Sequence, residues 1–237
     1  GDDVPLALNG QALINANTLA NGGFERFAAH AADAVRFSDD VDLKLKQSIV
    51  LDAPALALNA DSHVTVDAAY VALGNTLPDS KMTTIGTGTF AAHGQLIDVF
   101  GTSATQGIQA FQLNSDGDLR LRGVLASDPS AKSLTGALRT AADVTLRADQ
   151  VYPATLSQFT IAIDKDLNPG GTLTIAPGSG ATPVLSAGGK FTLDAPNIVQ
   201  HGVIKAPLGE IVLNASDQLT LADGSVTQVT QHDYVYG

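Results

Sequence analysis

One short unit constrains this chain more than any other feature: apolar–x–apolar, followed by a small or polar residue, returning every seven or eight positions. Ile49-Val50-Leu51-Asp52-Ala53-Pro54 leads into Leu56-Ala57-Leu58-Asn59-Ala60, then Val64-Thr65-Val66-Asp67-Ala68 and Val71-Ala72-Leu73-Gly74. The second apolar residue falls at Leu51, Leu58, Val66 and Leu73, in steps of 7, 8 and 7. Alternation of this kind, bounded by Asp, Asn, Gly or Pro, reads as half-buried strand. Strands this short cannot bury a face alone, so a repeat of roughly 20–25 residues points to a stacked solenoid.

The unit returns at Leu119-Arg120-Leu121, Val144-Thr145-Leu146, Phe159-Thr160-Ile161 and Leu173-Thr174-Ile175. It recurs at Phe191-Thr192-Leu193-Asp194-Ala195-Pro196, Ile211-Val212-Leu213-Asn214-Ala215 and Leu219-Thr220-Leu221. Leucine-rich repeats would show an Asn-bearing consensus and a helical turn per repeat, and hexapeptide solenoids a strict six-residue step. Neither is present. The expected fold is therefore all-β: a right-handed parallel β-helix with three short strands per coil of about 20–24 residues. The hand follows from crossover chirality. Residues 1–237 read as a single β-helix segment of roughly ten coils and ~50 Å. Alternation sends Leu193 inward and Thr192 outward.

The pattern loosens at residues 76–94, rich in Thr, Gly and Ser, and at 126–141, which carries Pro129. Both read as loop excursions, the places where solenoids accept insertions and concentrate binding. A turn is expected across Asp164-Lys165-Asp166-Leu167-Asn168-Pro169-Gly170-Gly171. Phe24–Val35 holds good helix formers. Phe24 and Phe27 lack continuing apolar partners, however, and Val35-Arg36-Phe37 resumes alternation, which favours strand.

Composition narrows the function classes. With 13 Lys+Arg against 24 Asp+Glu the net charge is −11, which argues against a nucleic-acid footprint or docking on anionic lipid. No stretch approaches the ~20 apolar residues of a membrane span, and residues 1–30 lack a signal-peptide layout. Gly1-Asp2-Asp3 reads as a cut from a longer chain. Cysteine is absent, so disulfides, zinc–thiolate sites and thiol nucleophiles are excluded.

Some β-helices act on polysaccharides, and that chemistry needs carboxylates brought close together. Ser38-Asp39-Asp40, Gln200-His201-Gly202 and Val203-Ile204-Lys205 echo a polygalacturonase set. The Asp pair precedes His201 by about seven coils, ~35 Å along a rod, and glycosidase carboxyls must lie within ~10 Å. Asp39 and Asp40 therefore read as a solvated turn. Asn114-Ser115-Asp116-Gly117-Asp118 is oxygen-dense but lacks the alternating ligands and distal Glu of a calcium loop. Gly86-Thr87-Gly88-Thr89-Phe90-Ala91 matches a relaxed dinucleotide fingerprint without the strand–helix context that the fingerprint needs. His30, His63, His93, His201 and His232 have no metal-ligand spacing. No catalytic residue, metal ligand or cofactor is assigned from the sequence, and the ligand-binding residues are left open.

Gly117-Asp118-Leu119-Arg120-Leu121-Arg122, the stretch from Ala142 to Thr155, and Ser186 to Ile198 resemble the coil repeats of filamentous haemagglutinin-like exoproteins. Ala206-Pro207-Leu208-Gly209-Glu210-Ile211-Val212-Leu213 and the closing Tyr234-Val235-Tyr236-Gly237 resemble the distal part of their shaft. The likeness covers most of 20–237 and is most specific over 142–237. These are Gram-negative adhesins exported by two-partner secretion. The resemblance implies an extracellular, cell-surface shaft for attachment and virulence. It also implies a host-cell or bacterial receptor or glycan as partner, and an outer-membrane transporter for the longer chain. The alternative is a β-helical carbohydrate-active enzyme or carbohydrate-binding module, which would gather carboxylates on adjacent coils.

Overall fold

The computed structural model describes residues 12–78, 80–125, 133–180 and 184–230. Its strands stack in parallel into a β-helix of about eight turns with three faces. Face A carries Arg26–His30, Ser48–Asp52, Tyr70–Asn75, the start of Leu96–Ser115, Asp118–Arg122, Gln150–Pro153, Val203–Lys205 and Val226–Gln228. Faces B and C share one continuous sheet that bends at the corners between them. The steps seen in the sequence are moves from face to face. Leu51 lies on A, Leu58 on B and Val66 on C, and Leu73 stacks directly on Leu51.

The interior is a set of axial rows. On face C, Val41, Val64, Phe90, Phe111, Val144, Leu173, Ile198 and Leu219 occupy one register position in eight successive strands. Phe90 and Phe111 stack with ring centroids 5.3 Å apart. On face A, Ile49, Val71, Ile97, Leu119, Val151 and Ile204 do the same, each essentially fully buried. Each row buries apolar area on both neighbours, so stability accumulates coil by coil.

Leu96–Ser115 is one whole coil written as a single strand, bent where Gly101 (φ 58) and Gly107 (φ 73) take the left-handed conformation. At Gly101 a Cβ would lie 1.7 Å from the Asn75 carbonyl oxygen of the coil below. Gly101→Ala is therefore expected to cost about 3 kcal/mol or more, combining strain with a backbone clash. At Gly170 an added Cβ meets nothing within 4 Å, so Gly170→Ala is expected to stay within ~0.5 kcal/mol. Urea midpoints of the two variants measure the contrast.

Three departures from the sequence reading have physical causes. First, there are about eight turns rather than ten, because coils lengthen. The register pairs Ser48–Tyr70, Tyr70–Leu96, Leu119–Val151 and Phe191–Ile211 give coils of 22, 26, 32 and 20 residues. Second, the excursions are narrower than 76–94 and 126–141. Thr84–Gly94 is a strand whose Phe90 and Ala92 fill core rows, and Leu134–Thr140 is another; 126–132 lies outside the described residues. What leaves the coil is 76–78 and 80–83, with residue 79 outside the described residues, and face B closes by pairing Ala55 with Ala104. A further departure on face A follows Pro177, where Val151 pairs across to Ile204. Third, a short helix, Ala16–Asn21, precedes the first coil, with Asn15 as its N-cap and Leu19 packed on the core. The stretch Phe24–Val35 is strand at Arg26–His30, and Asp164–Gly171 is a turn closed by Asp164 and Asn168. No helix among the described residues is long and apolar enough to cross a membrane.

Candidate functional site

The densest polar chemistry lies on the outward side of face A. Alternation that sends Ile97 and Val99 inward sends Asp98 outward, in register with Ala72 below and Arg120 above. Asp98 is nevertheless fully buried, covered by side chains from adjacent coils. Its Oδ1 accepts from Arg120 Nε at 2.7 Å. Its Oδ2 accepts from Arg120 Nη2 at 3.0 Å, Arg122 Nη1 at 2.9 Å and the Tyr70 hydroxyl at 2.8 Å. One coil further on, Asp118 accepts from Gln150 Nε2 and the Tyr152 hydroxyl, both at 2.9 Å. Gln150 in turn accepts from Lys205 Nζ at 2.9 Å, so this second cluster reaches from Asp118 to Lys205. Nearer the N-terminus, Asp52 accepts from the Thr76 N–H and hydroxyl and pairs with His30 Nδ1 at 2.9 Å.

This arrangement holds both tyrosines in the neutral form. Burial, then the Asp98 carboxylate, pushes the Tyr70 hydroxyl up to about 12, and burial with Asp118 pushes Tyr152 in the same direction. The hydrogen bond to Asp98 raises Arg120 as well, against the effect of its partial burial. An unfolded tyrosine loses its proton near 10, so the unfolded chain binds fewer protons than the folded one between about 10 and 12. The contribution to stability is full below pH 10 and is lost as pH rises through 12. Urea midpoints measured from pH 9 upward are expected to fall, and the slope is expected to flatten in Tyr70→Phe/Tyr152→Phe.

The residues singled out in the sequence are dispersed. Asp39 and Asp40 border a shallow open hollow with Asp61 and Ser62, where Asp40 accepts the His63 N–H at 2.7 Å. His201 lies six face-C pairings away, roughly 29 Å at one strand spacing per coil. The polygalacturonase-like set is therefore not brought together, and the separation is six coils rather than seven. Asn114–Asp118 is a turn in which the Ser115 hydroxyl donates to the Gln95 and Asp118 carbonyls. Gly86–Ala91 lies within the strand Thr84–Gly94, where Gly86 and Gly88 pack against Gly107. His63 meets Thr89 Oγ1 at 2.8 Å, His93 is exposed beside Asp67, and His232 lies outside the described residues. Among the described residues no three His, Asp or Glu side chains gather as a metal set.

Sequence reasoning missed the Asp98 cluster, because Tyr70, Asp98, Arg120 and Arg122 share no local motif. Only the axial register joins them. Asp98 and Asp118 stand on adjacent coils of one face. Their oxygens accept hydrogen bonds from arginine, tyrosine and glutamine side chains. Compared with protein families, with curated proteins and with solved structures, the chain matches none.

Proposed function

We propose that this chain is a non-catalytic β-helical shaft segment of a secreted, surface-attached adhesin of the filamentous haemagglutinin-like kind. The observation that carries this reading is where the polar side chains are used. Asp98, Asp118 and Asp52 on face A tie one coil to the next. So do the exposed pairs Lys44–Asp67, Lys46–Glu25, Lys190–Glu210 and Lys165–Asp194. Exposed pairs are each worth little, ~0–1 kcal/mol, but the buried cluster at Asp98 and the core rows are not. A rod cross-linked along its axis suits mechanical display, with attachment to a receptor or glycan at the cell surface.

Binding is assigned to the excursion at 76–78 and 80–83, where Leu77 and Met82 are exposed, as is Ile85 in the strand that follows. It is held to the rod by Lys81–Asp33 at 2.5 Å and by the Thr83 hydroxyl donating to the Thr105 carbonyl. The test replaces 76–83 with a short Gly-Ser turn, leaving the strand from Thr84 intact, and screens both proteins on glycan and host-matrix arrays. Binding by the intact chain that the replacement removes supports the assignment. Binding that survives the replacement moves the surface to the flat faces.

A second reading has one observation in its favour, the Asp98–Asp118 adjacency. It would make face A a polysaccharide-processing surface.

A further inference from the structure

Between Ser48 and Ser115 the three faces carry unequal numbers of strands. Face A has three: Ser48–Asp52, Tyr70–Asn75 and the start of Leu96–Ser115. Face C also has three: His63–Asp67, the end of Thr84–Gly94 and the end of Leu96–Ser115. Opposite them face B has two. The chain leaves the coil after Asn75, and Ala55, Leu56 and Ala57 pair directly with Ala104, Thr105 and Gln106. Faces A and C therefore hold apart two coils that face B brings together. The core between them is short of one set of inward side chains.

A cavity of about 20 Å³ lies at that place. Leu51, Leu73 and Val99, one axial row of face A, form one wall, and Ser103, Thr105 and Leu138 of face B stand against them. A water molecule needs roughly 10–15 Å³ and makes about three hydrogen bonds. The room is there, but the partners are not. Among the residues that line the cavity only Ser103 and Thr105 carry polar side chains, and the Thr105 hydroxyl is already shared with that of Thr140 at 2.5 Å. The peptide groups of both walls serve the ladders that join Leu51 to Leu73, Leu73 to Val99 and Ala55 to Ala104. The wall cannot simply close, because Leu73 is held in register between Leu51 and Val99. Apolar cavities stay dry, and their lining atoms lack dispersion contacts that an apolar guest restores.

We propose that this cavity is a binding site for one small apolar molecule of the size of xenon or dioxygen. The site is independent of what the rod attaches to. Its test is a xenon titration of the full chain, followed through the methyl resonances of Leu51, Leu73, Val99 and Leu138, with Leu193 in a distant coil as the control. Shifts that saturate with xenon pressure at the four lining residues and leave Leu193 unmoved are expected. Ser103→Val places two methyl groups in the same space, on a strand that suits a β-branched residue, and is expected to weaken xenon binding at least about tenfold. Melting curves establish that the variant folds; if it does not, the native titration alone decides. Absence of saturating shifts in the native chain would overturn the proposal, as would shifts that persist unchanged in folded Ser103→Val. Cross-relaxation between the same methyl groups and a long-lived water would overturn it too, by making water the occupant.

Discussion

Leu193→Asp is expected to unfold at least the last coils of the rod, while Thr192→Asp, one residue away, leaves stability within ~0.5 kcal/mol. Leu193 is fully buried between Ile161 and Leu213, so truncating it alone would cost about 2–5 kcal/mol. The introduced carboxylate has no cation or donor inside the row, which adds the penalty for burying a charge. Together these rival the whole stability of an ordinary domain. Thr192 points outward, between Thr160 and Val212, and its substitute stays in water. Thermal melts followed by circular dichroism measure the pair. Equal melting temperatures would mean that the strand register is wrong.

Asp98→Ala is expected to destabilise by about 2–4 kcal/mol, against ~0.5 kcal/mol or less for Asp39→Ala at an exposed turn. Removing one partner of a buried ion pair costs ~3–5 kcal/mol where the survivor stays buried. The side chains of Arg120 and Arg122 are 36% and 49% exposed, so part of their charge can return to water, which lowers the expected cost. Tyr70, partly buried, loses its charged acceptor. For a chain of this length the shift corresponds to roughly 5–15 °C in Tm. A loss confined to a degree or two would mean that the cluster is solvated decoration and not a brace.

The strands were legible in the sequence because each inward position demands an apolar residue every second place. Three faces impose a step that Leu51, Leu58, Val66 and Leu73 display without interruption. The strand Thr84–Gly94 was hidden because its first half is Gly and Thr. Gly86 and Gly88 are small there to admit the Gly107 backbone, a demand of the neighbouring coil that no local pattern expresses. The departure after Pro177 was missed for a related reason. Its anchor is Asp149, a turn away, whose carboxylate accepts the Ser179 and Gly180 N–H groups. Helix Ala16–Asn21 is too short for periodicity, and Asn15 as a cap was its one signal. The Asp98 cluster would have emerged from writing the chain on a grid of coils, since Asp98 and Arg120 differ by one 22-residue coil. The variable coil length, 20 to 32 residues, is what blurs that grid.

The shaft proposal holds that the carboxylates of face A tie coils together and do no chemistry. Its most direct test is polysaccharide turnover by the intact chain on acidic and neutral polymers, alongside Asp118→Asn. The account predicts no new chain ends from either protein, and a lower melting temperature for Asp118→Asn because Tyr152 and Gln150 lose their charged acceptor. Turnover by the intact chain that Asp118→Asn abolishes at an unchanged melting temperature would contradict it.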